Sequence, residues 1–168
     1  MTDGPGLGDI YGATIARIKA QDGDKSTLGI TVLMWISHAE RLSRVDELCH
    51  ALVVKLGSTD FNIGNIPSMS TLIGCCQGFI ALDKETSTVR LIHFALQEYL
   101  SARSDIFSRP HSTMADCCLT YLSSQQVKAT STSPYHDTRD TPFLEYCSVY
   151  WGVKGDPPTT ENHLPCSY

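Results

Sequence analysis

Apolar residues recur along this chain mostly at three- and four-residue intervals, the spacing of one helix face. Tyr11, Ile15 and Ile18 make the first stripe, and Asp22-Gly23-Asp24 interrupts it. Leu28, Val32, Trp35, Ile36 and Ala39 make the second. Val45, Leu48, Cys49 and Leu52 make the third, with Ser43 as the expected N-cap, Asp46 completing a weak capping box, and Gly57 as the stop. Residues 58–65 are a polar loop. Pro67 then suits the first position of a fourth helix, striped by Met69, Leu72, Ile73 and Cys76 and closed by Gly78.

The period changes at Phe79-Ile80-Ala81-Leu82. This run and Thr88-Val89-Arg90-Leu91-Ile92 flank the polar Asp83-Lys84-Glu85-Thr86-Ser87, which predicts a β-hairpin. Helical spacing returns in Ile92, Leu96, Tyr99 and Leu100, and again in Met114, Cys117, Cys118, Tyr121 and Leu122. Residues 123–142 are rich in Ser, Thr and Asp and predict a mobile loop. Thr141-Pro142 opens a last helix with Phe143, Cys147, Tyr150 and Trp151 on one face.

Two short helices followed by a hairpin are the parts of a winged helix, a helix-turn-helix with a β-wing. A lone hairpin cannot bury its apolar side, and the helices of residues 27–77 would supply that surface. The expected fold class is mainly α with a small β-hairpin: a winged-helix domain plus a C-terminal helical extension. The expected division is a flexible linker over 1–9, the winged helix over 10–104, the extension over 105–154 and a disordered tail over 155–168.

Composition narrows the function classes. Hydrophobic residues make up 42% and charged residues 18% of the 168, which places the chain among globular proteins. The net charge of −5 argues against a partner built on phosphate backbone. The second helix of the expected pair, residues 67–77, holds no Lys or Arg, so a groove-reading role lacks its main affinity term. No apolar run approaches the roughly 20 residues of a membrane helix, and Met1-Thr2-Asp3-Gly4-Pro5-Gly6 is not a signal peptide. The seven cysteines sit mostly on apolar stripes, and their odd number suits free thiols in a reducing cytoplasm.

The near misses to catalytic motifs each fail on spacing. Gly23-Asp24-Lys25-Ser26 is not a phosphate-binding loop, because Lys does not follow Gly and the upstream glycine is replaced by Ile18. Gly4, Gly6, Gly8 and Gly12 miss the dinucleotide spacing. Cys75-Cys76 and Cys117-Cys118 are adjacent pairs, which point about 100° apart on a helix and chelate poorly. Asp46 and His50 have the spacing of a solvated surface pair. Neither a catalytic residue nor a metal ligand is expected.

The most distinctive stretch is Val89-Arg90-Leu91-Ile92-His93-Phe94-Ala95-Leu96-Gln97-Glu98-Tyr99-Leu100-Ser101-Ala102. It resembles the segment of NACHT-type signalling ATPases, relatives of the NOD-like receptors within the STAND class, in which a strand runs through a histidine into a helix. Glu47-Leu48-Cys49-His50-Ala51-Leu52, Ile66-Pro67-Ser68-Met69 and Pro142-Phe143-Leu144-Glu145-Tyr146 are similar to the neighbouring helices of fungal NACHT proteins with ankyrin repeats. The resemblance spans residues 11–152. It implies a non-catalytic signal-relay module that holds a nucleotide-binding domain in its resting ADP state, in cis or in trans. It implies that His93 meets the ADP β-phosphate, only where an upstream nucleotide domain exists. Phe94 stands where related plant and apoptotic proteins have Asp, so no Asp-dependent role carries over. Tyr99 and Leu100 are expected to pack, Gln97 and Glu98 to be solvated or locally bonded, and Trp35 and Trp151 to be core aromatics.

The chain itself has no phosphate-binding loop and no ankyrin repeat, so it is expected to be a fragment or truncated product. No cofactor is expected on it alone, and ADP or ATP only on the parent domain. Self-association into a homo-oligomer is an option, because stripes meant for the missing domain would be exposed. Neither nucleic acid nor membrane is expected as a partner. The competing expectations are a free-standing protein-interaction domain and an inactive remnant.

Overall fold

The computed structural model describes residues 6–58, 62–131, 137 and 139–152. The expected tail, Cys166 and part of the Ser/Thr-rich loop lie outside the described residues. Helix α1 (Leu7–Lys19) takes in Leu7, Gly8 and Asp9, which the glycine-rich sequence suggests as linker. Asp9 explains the early start: its carboxylate reaches back and accepts the Gly6 N–H at 3.0 Å, the acidic half of a capping box. Tyr11, Ile15 and Ile18 are buried, as their spacing requires.

Helix α2 (Gly23–His38) is the central element, with Val32 and Leu33 fully buried and Trp35 nearly so. It leads into strand β1 (Ser43–Arg44) and helix α3 (Val45–Val53). The cap of α3 is one residue later than the pattern suggests. Arg44 is the N-cap, and Glu47 accepts its N–H at 2.9 Å. Glu47 and not Asp46 returns to the cap because the helix starts at Val45, which makes Glu47 its third residue. The helix ends at Val53, before Gly57.

Helix α4 (Met69–Cys75) is capped by Ser68, whose Oγ accepts the Thr71 N–H at 3.2 Å; Pro67 precedes the cap and is not the first helical residue. Gln77 (φ 50°) and Gly78 (φ 83°) turn the chain through left-handed conformations into the wing. Strands β2 (Ile80–Asp83) and β3 (Thr88–Leu91) pair antiparallel, with Ile80 opposite Leu91 and Asp83 opposite Thr88. Asp83 Oδ1 closes the turn by accepting the Glu85 and Thr86 N–H groups, and these bonds hold its carboxyl below the usual range.

The sheet has three strands, in the order β1-β3-β2, because Ser43 and Arg44 pair with Val89 and Thr88. The succession α2-β1-α3-α4-β2-β3 is thus helix, strand, two helices and two strands, with Ile80, Val89 and Leu91 turned to the core. Helix α5 (Phe94–Ser101) follows directly, anchored by the fully buried Leu96 and Leu100.

Helices α6 (Pro110–Ser123), α7 (Gln125–Ser131) and α8 (Leu144–Tyr150) form the extension. Helix α7 falls inside the segment that composition marks as a loop. Ser124 caps it by accepting the Val127 N–H at 3.3 Å, and Val127 is 2% exposed. The extension meets the rest through aromatic rings, Trp35 against Phe143 at 5.4 Å and Tyr146 at 6.1 Å, and is itself joined by Tyr121 against Phe143 at 5.1 Å. Trp35 is a core aromatic, but Trp151, at the end of α8, is 47% exposed.

Candidate functional site

The site the sequence points to lies where β3 becomes α5. Ile92 is still held to the wing, its N–H donating to the Phe79 carbonyl at 3.0 Å. His93 (φ −140°, ψ 142°) is extended and serves as the N-cap of α5, its carbonyl accepting the Leu96 N–H at 3.2 Å. Its side chain makes no cap bond. The imidazole is exposed and forms no hydrogen bond or ion pair with the described residues. Phe94 is 76% exposed, the most of any large apolar side chain among the described residues, and Ile92 is 37% exposed.

The rest of α5 fixes this trio in place. Gln97 does not stay local: its Nε2 donates to the Ser37 carbonyl of α2 at 3.3 Å. Tyr99 packs on Tyr11 with centroids 5.4 Å apart, and its hydroxyl accepts from Arg103 at 2.8 Å. Leu100 is fully buried and Glu98 is exposed. The junction can therefore present an imidazole between two apolar side chains on a rigid base. An imidazole donor there can meet an anionic oxygen, and a charge-assisted bond is stronger than a neutral one.

Asp46 and His50 do not form a surface pair. Asp46 binds Arg44 at 3.2 Å, whereas His50 is buried with Nδ1 3.3 Å from the Tyr121 hydroxyl. Burial lowers the His50 pKa, against the pull of the Asp46 charge. Helix α4 presents Ser70, Thr71 and Ile73 to solvent.

All six described cysteines are buried and free. Burial pushes the Cys76 thiol up to about 12, and raises Cys49, Cys117 and Cys147 as well, with a hydrogen bond to Cys118 adding to the last. Such thiols are poor nucleophiles. Native protein treated with iodoacetamide at neutral pH is expected to leave these six unmodified on a timescale that labels the urea-unfolded chain completely. A single described cysteine that alkylates fast in peptide mapping would contradict this. Among the described residues no group of three or more His, Cys, Asp or Glu could hold a metal ion, and no helix is long and apolar enough to cross a membrane.

Sequence reasoning located His93 but missed the groups that tie the extension down. Glu47 is 3% exposed and forms a two-pronged pair with Arg41, at 2.6 and 2.8 Å. The Arg41 guanidinium lies over the Tyr146 ring, 5.4 Å from its centroid. The Tyr146 hydroxyl accepts the Glu40 N–H at 3.4 Å. The six-residue separation of Arg41 and Glu47 across a turn and a strand has no periodic signature.

The order of elements and the three-stranded wing define a winged-helix module with helices added at both ends. Residues 17–116 match the family described as GPI inositol-deacylase, winged helix domain, and the chain belongs to that family. Comparison with curated proteins and with solved structures gives no match.

Proposed function

We propose that this chain is the regulatory winged-helix module of a NACHT-type signalling ATPase, acting by docking and release rather than by catalysis. The observation that carries the reading is the exposed, unbonded His93 between Ile92 and Phe94, at the position where the resembled ATPases place a phosphate-facing histidine. A donor that meets the ADP β-phosphate in only one arrangement of two domains biases the equilibrium toward that arrangement. Gln97, through Ser37, supports the reading by tying the histidine-bearing helix to the central helix. The matched region is a winged-helix domain, so no deacylase activity is carried over to this chain.

The test places this segment behind its nucleotide-binding domain and measures the ADP that co-purifies. His93→Ala is expected to lower ADP occupancy about tenfold, on the order of the 1–3 kcal/mol of one charge-assisted bond, and to raise basal signalling. Wild-type occupancy and wild-type basal output in the variant would overturn the reading.

A further inference from the structure

Helix α1 is seated in two parts: Ile15 and Ile18 belong to the common core, while the turns before them rest on aromatic side chains. Most of it, residues 7–16, precedes the span matched by the winged-helix family. It is joined to α2 by only Ala20, Gln21 and Asp22. Its inner side offers glycines to a tyrosine: a Cβ on Gly12 would lie 3.3 Å from the Tyr99 hydroxyl, and one on Gly8 3.8 Å from the ring. Tyr11 fills the space beside them, edge-on to Phe79 at 5.9 Å and tilted against Tyr99 at 5.4 Å.

One atom at this seat is out of balance. Tyr11 is 4% exposed, yet its hydroxyl is buried without a hydrogen-bond partner among the described residues. Such a group bears its full desolvation cost while α1 is docked and recovers it as soon as α1 lifts into water. The outer side of α1 also carries the exposed Leu7 and Ile10.

We propose that the first turns of α1 are a reversible latch: they dock on Phe79 and Tyr99 through Tyr11, and the unpaired Tyr11 hydroxyl keeps the docked state poised for release while Ile18 and the rest of the fold stay closed. The position gives the latch a consequence. Phe79 accepts the Ile92 N–H, and Tyr99 lies on the helix that His93 caps, so release adds two aromatic side chains to the exposed Ile92 and Phe94. Gln21 anchors the base of the latch: its Nε2 donates to the Cys75 carbonyl at 2.8 Å and to the Ile18 carbonyl at 3.3 Å, so the last turn of α1 stays with α4 while the turns before it move. The proposal stands whether or not His93 meets a nucleotide.

Hydrogen exchange with mass spectrometry on the 168-residue chain tests it. In the wild type, the α1 amides are expected to exchange at least about tenfold faster than those of residues 32–37 of α2, as a locally opening unit does. Tyr11→Phe keeps the ring and removes the unpaired hydroxyl, and is expected to slow α1 exchange about fivefold to tenfold. Gly12→Leu is expected to speed it by at least about tenfold, leaving α2 and α6 unchanged. If Gly12→Leu fails to fold, Tyr11→Phe decides alone. Exchange of α1 at the α2 rate, or Tyr11→Phe leaving exchange unchanged or faster, would overturn the latch.

Discussion

Glu47→Ala is expected to destabilise the protein by about 3 kcal/mol, the low end of the usual cost of leaving one member of a buried ion pair without its partner. The carboxylate serves three donors at once: both terminal nitrogens of Arg41 at 2.8 and 2.6 Å, and the Arg44 N–H at 2.9 Å. Glu47 is almost wholly buried, whereas the Arg41 side chain keeps 32% of its exposure. The guanidinium is therefore partly hydrated and loses less than a fully enclosed one. The hydrogen bonds and charge of Glu47 hold the Arg41 pKa above its ordinary value. Removing the carboxylate also strips α3 of its cap and frees the guanidinium that lies on Tyr146, so two boundaries loosen together. Urea unfolding followed by Trp35 fluorescence measures the loss. A change below about 1 kcal/mol, the scale of exposed pairs, would show that the contact is a surface bridge and not a tie between winged helix and extension. A double-mutant cycle with Arg41→Met isolates the pair.

Gly29→Ala is expected to be the most damaging single-methyl change, although alanine is the better helix former. The added Cβ would stand 2.7 Å from the Cys75 carbonyl oxygen and 3.0 Å from Ile18 Cγ2. The nearest atom belongs to the backbone of α4, so the helices themselves must part. The crossing is already occupied: Cys76 Sγ donates to the Gly29 carbonyl at 3.8 Å, and Gln21 donates to the Cys75 carbonyl. Overpacking of this kind costs about 1–3 kcal/mol or more, against about 1 kcal/mol recovered from helix propensity, so the net is expected near 2 kcal/mol of destabilisation. For a domain of this size that lowers the melting temperature by about 4–8 °C. Gly74→Ala is the control. It adds the same methyl where no atom lies within 4 Å, and is expected to leave the melting temperature unchanged or raise it. Equal behaviour of the two variants in a thermal scan would refute the account of the α2–α4 crossing.

Hydrophobic period carried much of the fold. The stripes at Tyr11, Ile15 and Ile18, at Val32, Trp35 and Ile36, and at Met114, Cys117, Cys118 and Tyr121 are all core. The hairpin was equally legible, because two apolar runs around a charged turn are hard to place otherwise. Errors gathered where periodicity is silent. Strand β1 is two residues long and exists only because Val89 and Thr88 offer backbone partners. Helix α7 has a polar sequence held by a serine cap and one buried valine. The α3 cap shifted by one residue because pairing with β3 keeps Ser43 and Arg44 extended and delays the helix to Val45.

For the candidate site, the chain alone placed His93 between a strand and a helix, since the change of period occurs there. What surrounds it required the fold. Exposure of Phe94 and burial of His50 are opposite to what polarity suggests, because burial depends on which helix packs over a position. Gln97 and Ser37 are 60 residues apart, and Arg41 reaches Tyr146 from an element more than 100 residues earlier. Local sequence thus determined the amphipathic helices, the hairpin and the location of the histidine, through propensity and spacing that act within a few residues. Only the tertiary structure decided which side chains are left facing solvent and which polar groups meet, because those outcomes belong to pairs of segments brought together by collapse.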